Sequence, residues 1–100
     1  MMDPLRVEYL ANFLIRKHLK SYNFDWIPKY SRKRILGICD YDNKLIMINY
    51  DFSINNNYYI LKNIILHEIA HALLGERDDL SSHDEDFVST YIKIGIKDKR

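Results

Sequence analysis

An α+β fold is predicted for this chain from three patterns: apolar residues at helical spacing near the start, two β-prone runs around a polar turn, and a long apolar segment closed by glycine. One hundred residues, 47% hydrophobic and 29% charged, suit a single domain spanning 1–100 with one core. The expected order is an N-terminal helix, a small antiparallel β-hairpin or sheet, a central buried helix and a C-terminal helix.

The first helix is expected over about Pro4 to Lys20. Asp3 suits the N-cap and Pro4 the first helical position, where its missing N–H costs nothing. Val7, Leu10, Ala11, Leu14 and His18 then form one stripe. His18 ends that stripe and reads as a partly buried helix-end residue. Residues 21 to 33, with Tyr22, Phe24, Trp26 and Tyr30, read as irregular and aromatic. The hairpin pairs Ile35–Cys39 with Leu45–Asn49, and Asp42-Asn43 tolerates the left-handed conformations of tight turns. Asn55-Asn56-Asn57 marks a loop and a cap for the central helix, expected over about Tyr58 to Leu74 and stopped by Gly75. That helix is apolar on nearly every side, which predicts burial. The last helix is expected over about His83 to Ile94. Ser82 and Glu85 form a capping box there, and Gly95 is a stop.

Composition narrows the function classes. No apolar run approaches the roughly 18 residues of a membrane span. The charged start, Met1 to Arg6, lacks a secretory apolar core. A single cysteine, Cys39, cannot form an internal disulfide, which fits a reducing compartment. A cytoplasmic location is expected. Abundant Ile, Asn, Lys and Tyr suggest an AT-rich genome, and a viral source would make this the host cytoplasm. The net charge of +1 supplies no general case for nucleic acid. The basic clusters Arg16-Lys17, Arg32-Lys33-Arg34 and Lys97 to Arg100 read as solvated surface.

The central helix carries the chemistry. His67 and His71 are four residues apart, so a helix sets both rings on one face, one turn apart, able to converge on a zinc ion. Glu68 lies about 100° around the axis, beside such an ion and placed to act as general base toward an activated water. Two imidazoles and a carboxylate emerging from the surface of Ile60, Ile64 and Leu74 would carry a large desolvation cost, which a metal and its water would offset. The plainer alternative is a buried His–Glu hydrogen-bonded cluster. At average composition, H-E-x-x-H arises by chance in a chain this long on the order of once in several hundred. A third ligand is needed, and the candidates downstream are His83 and the acids Glu76, Asp78, Asp79, Asp84, Glu85 and Asp86. His83 is the only histidine among them, and Phe87, one turn later, can anchor its helix.

His67-Glu68-Ile69-Ala70-His71, followed by His83-Asp84-Glu85-Asp86-Phe87, resembles the SprT-like, or Spartan-type, metalloproteases and the related WLM proteases. Ile46-Met47-Ile48-Asn49 resembles the family's strand before the active-site helix. The resemblance covers about residues 35 to 94. It implies a zincin-like domain with zinc ligands His67, His71 and His83, catalytic Glu68 and Zn²⁺ as cofactor. It also implies a hairpin edge along which an extended substrate could pair. Asp84 stands where the SprT pattern usually has glycine; the WLM pattern accepts aspartate. No zinc ribbon or DNA-binding extension is expected within these residues.

The leading expectation is a zinc metallopeptidase acting on a protein or peptide, with DNA-associated proteins as the substrates the resemblance suggests. A non-proteolytic, zinc-stabilised binding module for a protein or nucleic acid is the alternative from another class. Amide hydrolysis on a non-protein substrate is a third. Several tyrosines could stabilise an oxyanion, and spacing alone does not choose between them. Oligomeric state is not encoded in these patterns.

Overall fold

Side-chain caps decide where the helices begin. In the computed structural model, which describes residues 2–28, 35–75 and 85–97, α1 runs Pro4–His18. Asp3 Oδ1 accepts a hydrogen bond from the Leu5 N–H at 2.8 Å, satisfying a donor the helix cannot satisfy itself. Val7, Leu10, Ala11, Leu14 and Ile15 form its buried face, and His18 is half-buried at its end.

Two elements depart from expectation. Residues 21 to 33 contain a strand, β1 (Asn23–Ile27). A short helix, α2 (Tyr50–Ile54), follows the hairpin. The hairpin itself forms, as β2 (Gly37–Asp40) and β3 (Leu45–Asn49), with Asp40 opposite Leu45. Its first strand starts at Gly37, leaving Ile35 and Leu36 exposed before it. The left-handed residue is Lys44, at φ 55°, rather than Asp42 or Asn43. Asn43 instead donates from its backbone and side chain to the Asp40 carboxylate, at 3.1 and 2.9 Å, which leaves the turn to close at the next residue.

The sheet is therefore mixed rather than antiparallel. Its order is β1-β3-β2, with β1 parallel and β2 antiparallel to β3. Ile46 and Ile48 of the middle strand are fully buried beside residues of α1 and α3 in one core. β1 is tied to α1 by the Trp26 indole N–H, which donates to Glu8 Oε2 at 3.1 Å. α2 begins at Asn49, whose Oδ1 accepts from the Phe52 N–H at 2.9 Å.

The central helix, α3, runs Tyr58–Leu74. Asn57 caps it through the Ile60 N–H at 3.0 Å, and Gly75 ends it at φ 75°, a conformation glycine adopts without strain. α3 packs on α1, β2, β3 and the last helix, α4 (Glu85–Lys97). It is central without being sealed. Leu61, Ile65, Leu66, Ile69 and Ala70 are buried, whereas Tyr58, Tyr59, Ile60 and Leu73 are exposed. α4 continues through Gly95 to Lys97. Gly95 lacks the positive φ of a helix stop, so it costs some helix propensity but does not end the helix. The Ser82–Glu85 capping box lies outside the described residues, apart from the backbone of Glu85. No helix among the described residues is long and apolar enough to cross a membrane.

Candidate metal centre

His67 and His71 sit one turn apart near the C-terminal half of α3, half-buried, with ring centroids 5.0 Å apart. Two imidazoles sharing one tetrahedral zinc at about 2.0–2.1 Å per nitrogen would have centroids roughly 5 Å apart, so the spacing is compatible with a shared ion as well as with an edge-on ring contact. Glu68 points elsewhere. It is 9% exposed, and burial pushes its carboxyl up to about 7. Near neutrality it can both accept and return a proton.

Gly37 explains how a carboxylate comes to lie against the sheet. A Cβ on Gly37 would stand 3.0 Å from Glu68 Oε2, 3.1 Å from Glu68 Cγ and 3.2 Å from Ile64 Cγ2. Only glycine lets β2 approach α3 this closely without displacing the carboxylate. In the sequence Gly37 reads only as part of a β-prone run. A glycine inside such a run is itself a signal of close approach.

Two tyrosines frame the histidines. The Tyr41 hydroxyl, from the hairpin turn, donates to the His71 carbonyl oxygen at 3.1 Å. The Gly75 N–H shares that acceptor at 3.0 Å, so turn and helix end are joined at one atom. The Tyr91 ring on α4 stands edge-on to His67, with centroids 6.0 Å apart, and its hydroxyl reaches the Asn63 carbonyl at 3.5 Å. Helical spacing alone could not select these two from eight tyrosines, because both depend on elements distant in sequence.

Cys39 lies in the same region. Burial, with the Glu68 carboxylate as the next cause, pushes its thiol up to about 12. Only about one thiol in ten thousand would then be thiolate at pH 8, against roughly a quarter for an ordinary cysteine. Iodoacetamide should therefore modify Cys39 slowly in the folded protein and rapidly in urea, followed by mass spectrometry. Equal rates would show the thiol to be accessible and ordinary.

Three expectations need correction or limits. Ile60 is exposed and Ile64 and Leu74 only half-buried, so the histidines leave a partly solvated surface, and the desolvation argument applies chiefly to Glu68. Among the described residues, no buried side-chain nitrogen or oxygen lacks a hydrogen-bond partner, so unmet buried polarity gives no argument for a metal. His83, Asp84 and the acids before them lie outside the described residues, as does the Phe87 side chain. Among the described residues, no group of three His, Cys, Asp or Glu side chains could hold a metal.

In comparisons with known proteins, the family model described as SprT-like matches residues 3–98. No curated protein and no solved structure matches the chain.

Proposed function

The chain belongs to the SprT-like family, and on that premise we propose that it is a zinc-dependent metallopeptidase, a zincin-like catalytic domain acting on proteins or peptides. The observation that carries this reading is the 5.0 Å pairing of the His67 and His71 rings beside a carboxylate buried on the same helix. His67, His71 and His83 would hold the ion. Zinc, when bound, would acidify a water and polarise the scissile carbonyl.

The chain's own residues account for the rest. Glu68 takes a proton from the attacking water and returns it to the leaving amine. Gly37 keeps that carboxylate in place from the strand side. β2 is an outer strand of the described sheet and adjoins Glu68, so its outer edge, unpaired among the described strands, would offer backbone groups to an extended substrate.

The test is cleavage of an unfolded protein by the zinc-loaded chain, lost on chelation and restored by zinc. Zinc-loaded protein that cleaves no unfolded, peptide or DNA-bound substrate would favour the zinc-stabilised binding module instead. His83→Ala is expected to lower zinc affinity by at least about tenfold, since loss of outer partners alone costs 10–100-fold. Equilibrium dialysis with metal analysis reads this directly. Unchanged zinc content would remove His83 from the ligand set and turn attention to the neighbouring acids.

A further inference from the structure

α1 has more apolar surface than its own core uses. Val7, Leu10, Ala11, Leu14 and Ile15 are buried, yet Leu5, Tyr9 and Phe13 form a second stripe at four-residue spacing, 70%, 75% and 42% exposed. This stripe borders a groove of about 1200 Å³, closed on its other side by Asn55 to Asn57 and Tyr58. A smaller hollow continues it past Phe13 to Arg16 and Lys17. None of these residues belongs to the candidate metal centre.

Charge separates the possible occupants. Arg6 lines the main groove, and Arg16 and Lys17 line its continuation, while among the described residues no acidic side chain lines either. Asp3, at the near end, directs its carboxylate to the Leu5 N–H as a helix cap. A second copy of the chain fits poorly. Packing this face on itself sets Arg6 against Arg6 when parallel, or Arg6 against Arg16 and Lys17 when antiparallel, and like charges across an interface are costly. A nucleic-acid strand would match the cations and could stack on Tyr9, Phe13 and Tyr58. Among the described residues, however, Arg6 is a single cation in the main groove, few for a run of phosphates, and Met2, Leu5 and Leu10 add aliphatic surface that suits an apolar helix face better.

We propose that the groove along Leu5, Tyr9 and Phe13 is a docking site for an amphipathic helix of a partner protein, its apolar face against the stripe and its flanks acidic. Helix-in-groove recognition needs an apolar trough with anchors at successive turns, and the stripe provides it. The acidic flanks meet Arg6 at one end and Arg16 with Lys17 at the other. The site is independent of the metal centre and of peptidase activity.

The test is fluorescence anisotropy of a labelled, roughly 16-residue helical peptide with leucines at successive turns and glutamates on both flanks, titrated with the full chain. Saturable binding is expected. It should weaken at least about tenfold in the Leu5→Ser/Tyr9→Ser double variant, in Arg6→Glu, and for a peptide with lysine in place of each glutamate. Circular dichroism should be unchanged, since Leu5 and Tyr9 are largely exposed. No binding, undiminished binding by the double variant, or equal binding of the lysine peptide would overturn the proposal. Tighter binding of an oligothymidylate, weakened by the same variants, would assign the face to nucleic acid. Concentration-dependent dimerisation lost in the double variant would assign it to a second copy.

Discussion

Glu68→Gln is expected to lower kcat/KM for a protein substrate by about 10²–10⁴-fold, the usual contribution of a general base, while leaving zinc content unchanged. Glutamine has nearly the same shape, so the close approach to Gly37 persists. What disappears is the ability to take up and release a proton. The same change removes a carboxyl whose ionised form is disfavoured by burial, so the urea midpoint of the metal-free protein should stay level or rise. Loss of zinc along with activity would make Glu68 a structural support of the site rather than its base. Retained turnover would rule out the proposed mechanism.

Gly37→Ala tests the same carboxylate from the opposite side. The new Cβ would stand 3.0 Å from Glu68 Oε2, well inside the about 3.5–4.0 Å of relaxed packing. The carboxylate must yield by about half an ångström. Since a displacement of about 1 Å at a catalytic group can cost about a hundredfold, Gly37→Ala should lower kcat about tenfold and Gly37→Val about a hundredfold, with KM less affected. Stability should not follow activity. Gly37 has no positive φ, so a side chain there brings no backbone strain, and replacing a strand glycine recovers about 0.5–1 kcal/mol of conformational entropy. Activity falling while the urea midpoint holds is the expected signature for Gly37→Ala, whereas the extra methyls of Gly37→Val also crowd Ile64 and lower stability. Full activity in Gly37→Val would show that this close approach does not position Glu68.

By itself, the sequence determined what depends on neighbours along the chain. The caps at Asp3 and Asn57, the stop at Gly75, the extent of α3 and the shared face of His67 and His71 all follow from hydrogen bonds or helical repeats spanning a few residues. Local pattern misled where a feature depended on a distant partner. Asn23-Phe24-Asp25-Trp26-Ile27 alternates strand-favouring Phe24, Trp26 and Ile27 with strand-averse Asn23 and Asp25, a mixed local signal, and it becomes β1 because β3 pairs with it along its length. Gly95 looked like a stop, yet α4 passes through it while Ile94 is buried in the core beside α3, where packing outweighs the propensity of one glycine. The candidate site divides in the same way. Two histidines and a glutamate were legible because one helix holds them. Tyr41, Tyr91 and Gly37 were not, because a turn, another helix and a strand reach that helix only when the core closes. The carboxylate of Glu68 is buried for the same reason: β2 approaches α3 at the one position where no side chain stands between them.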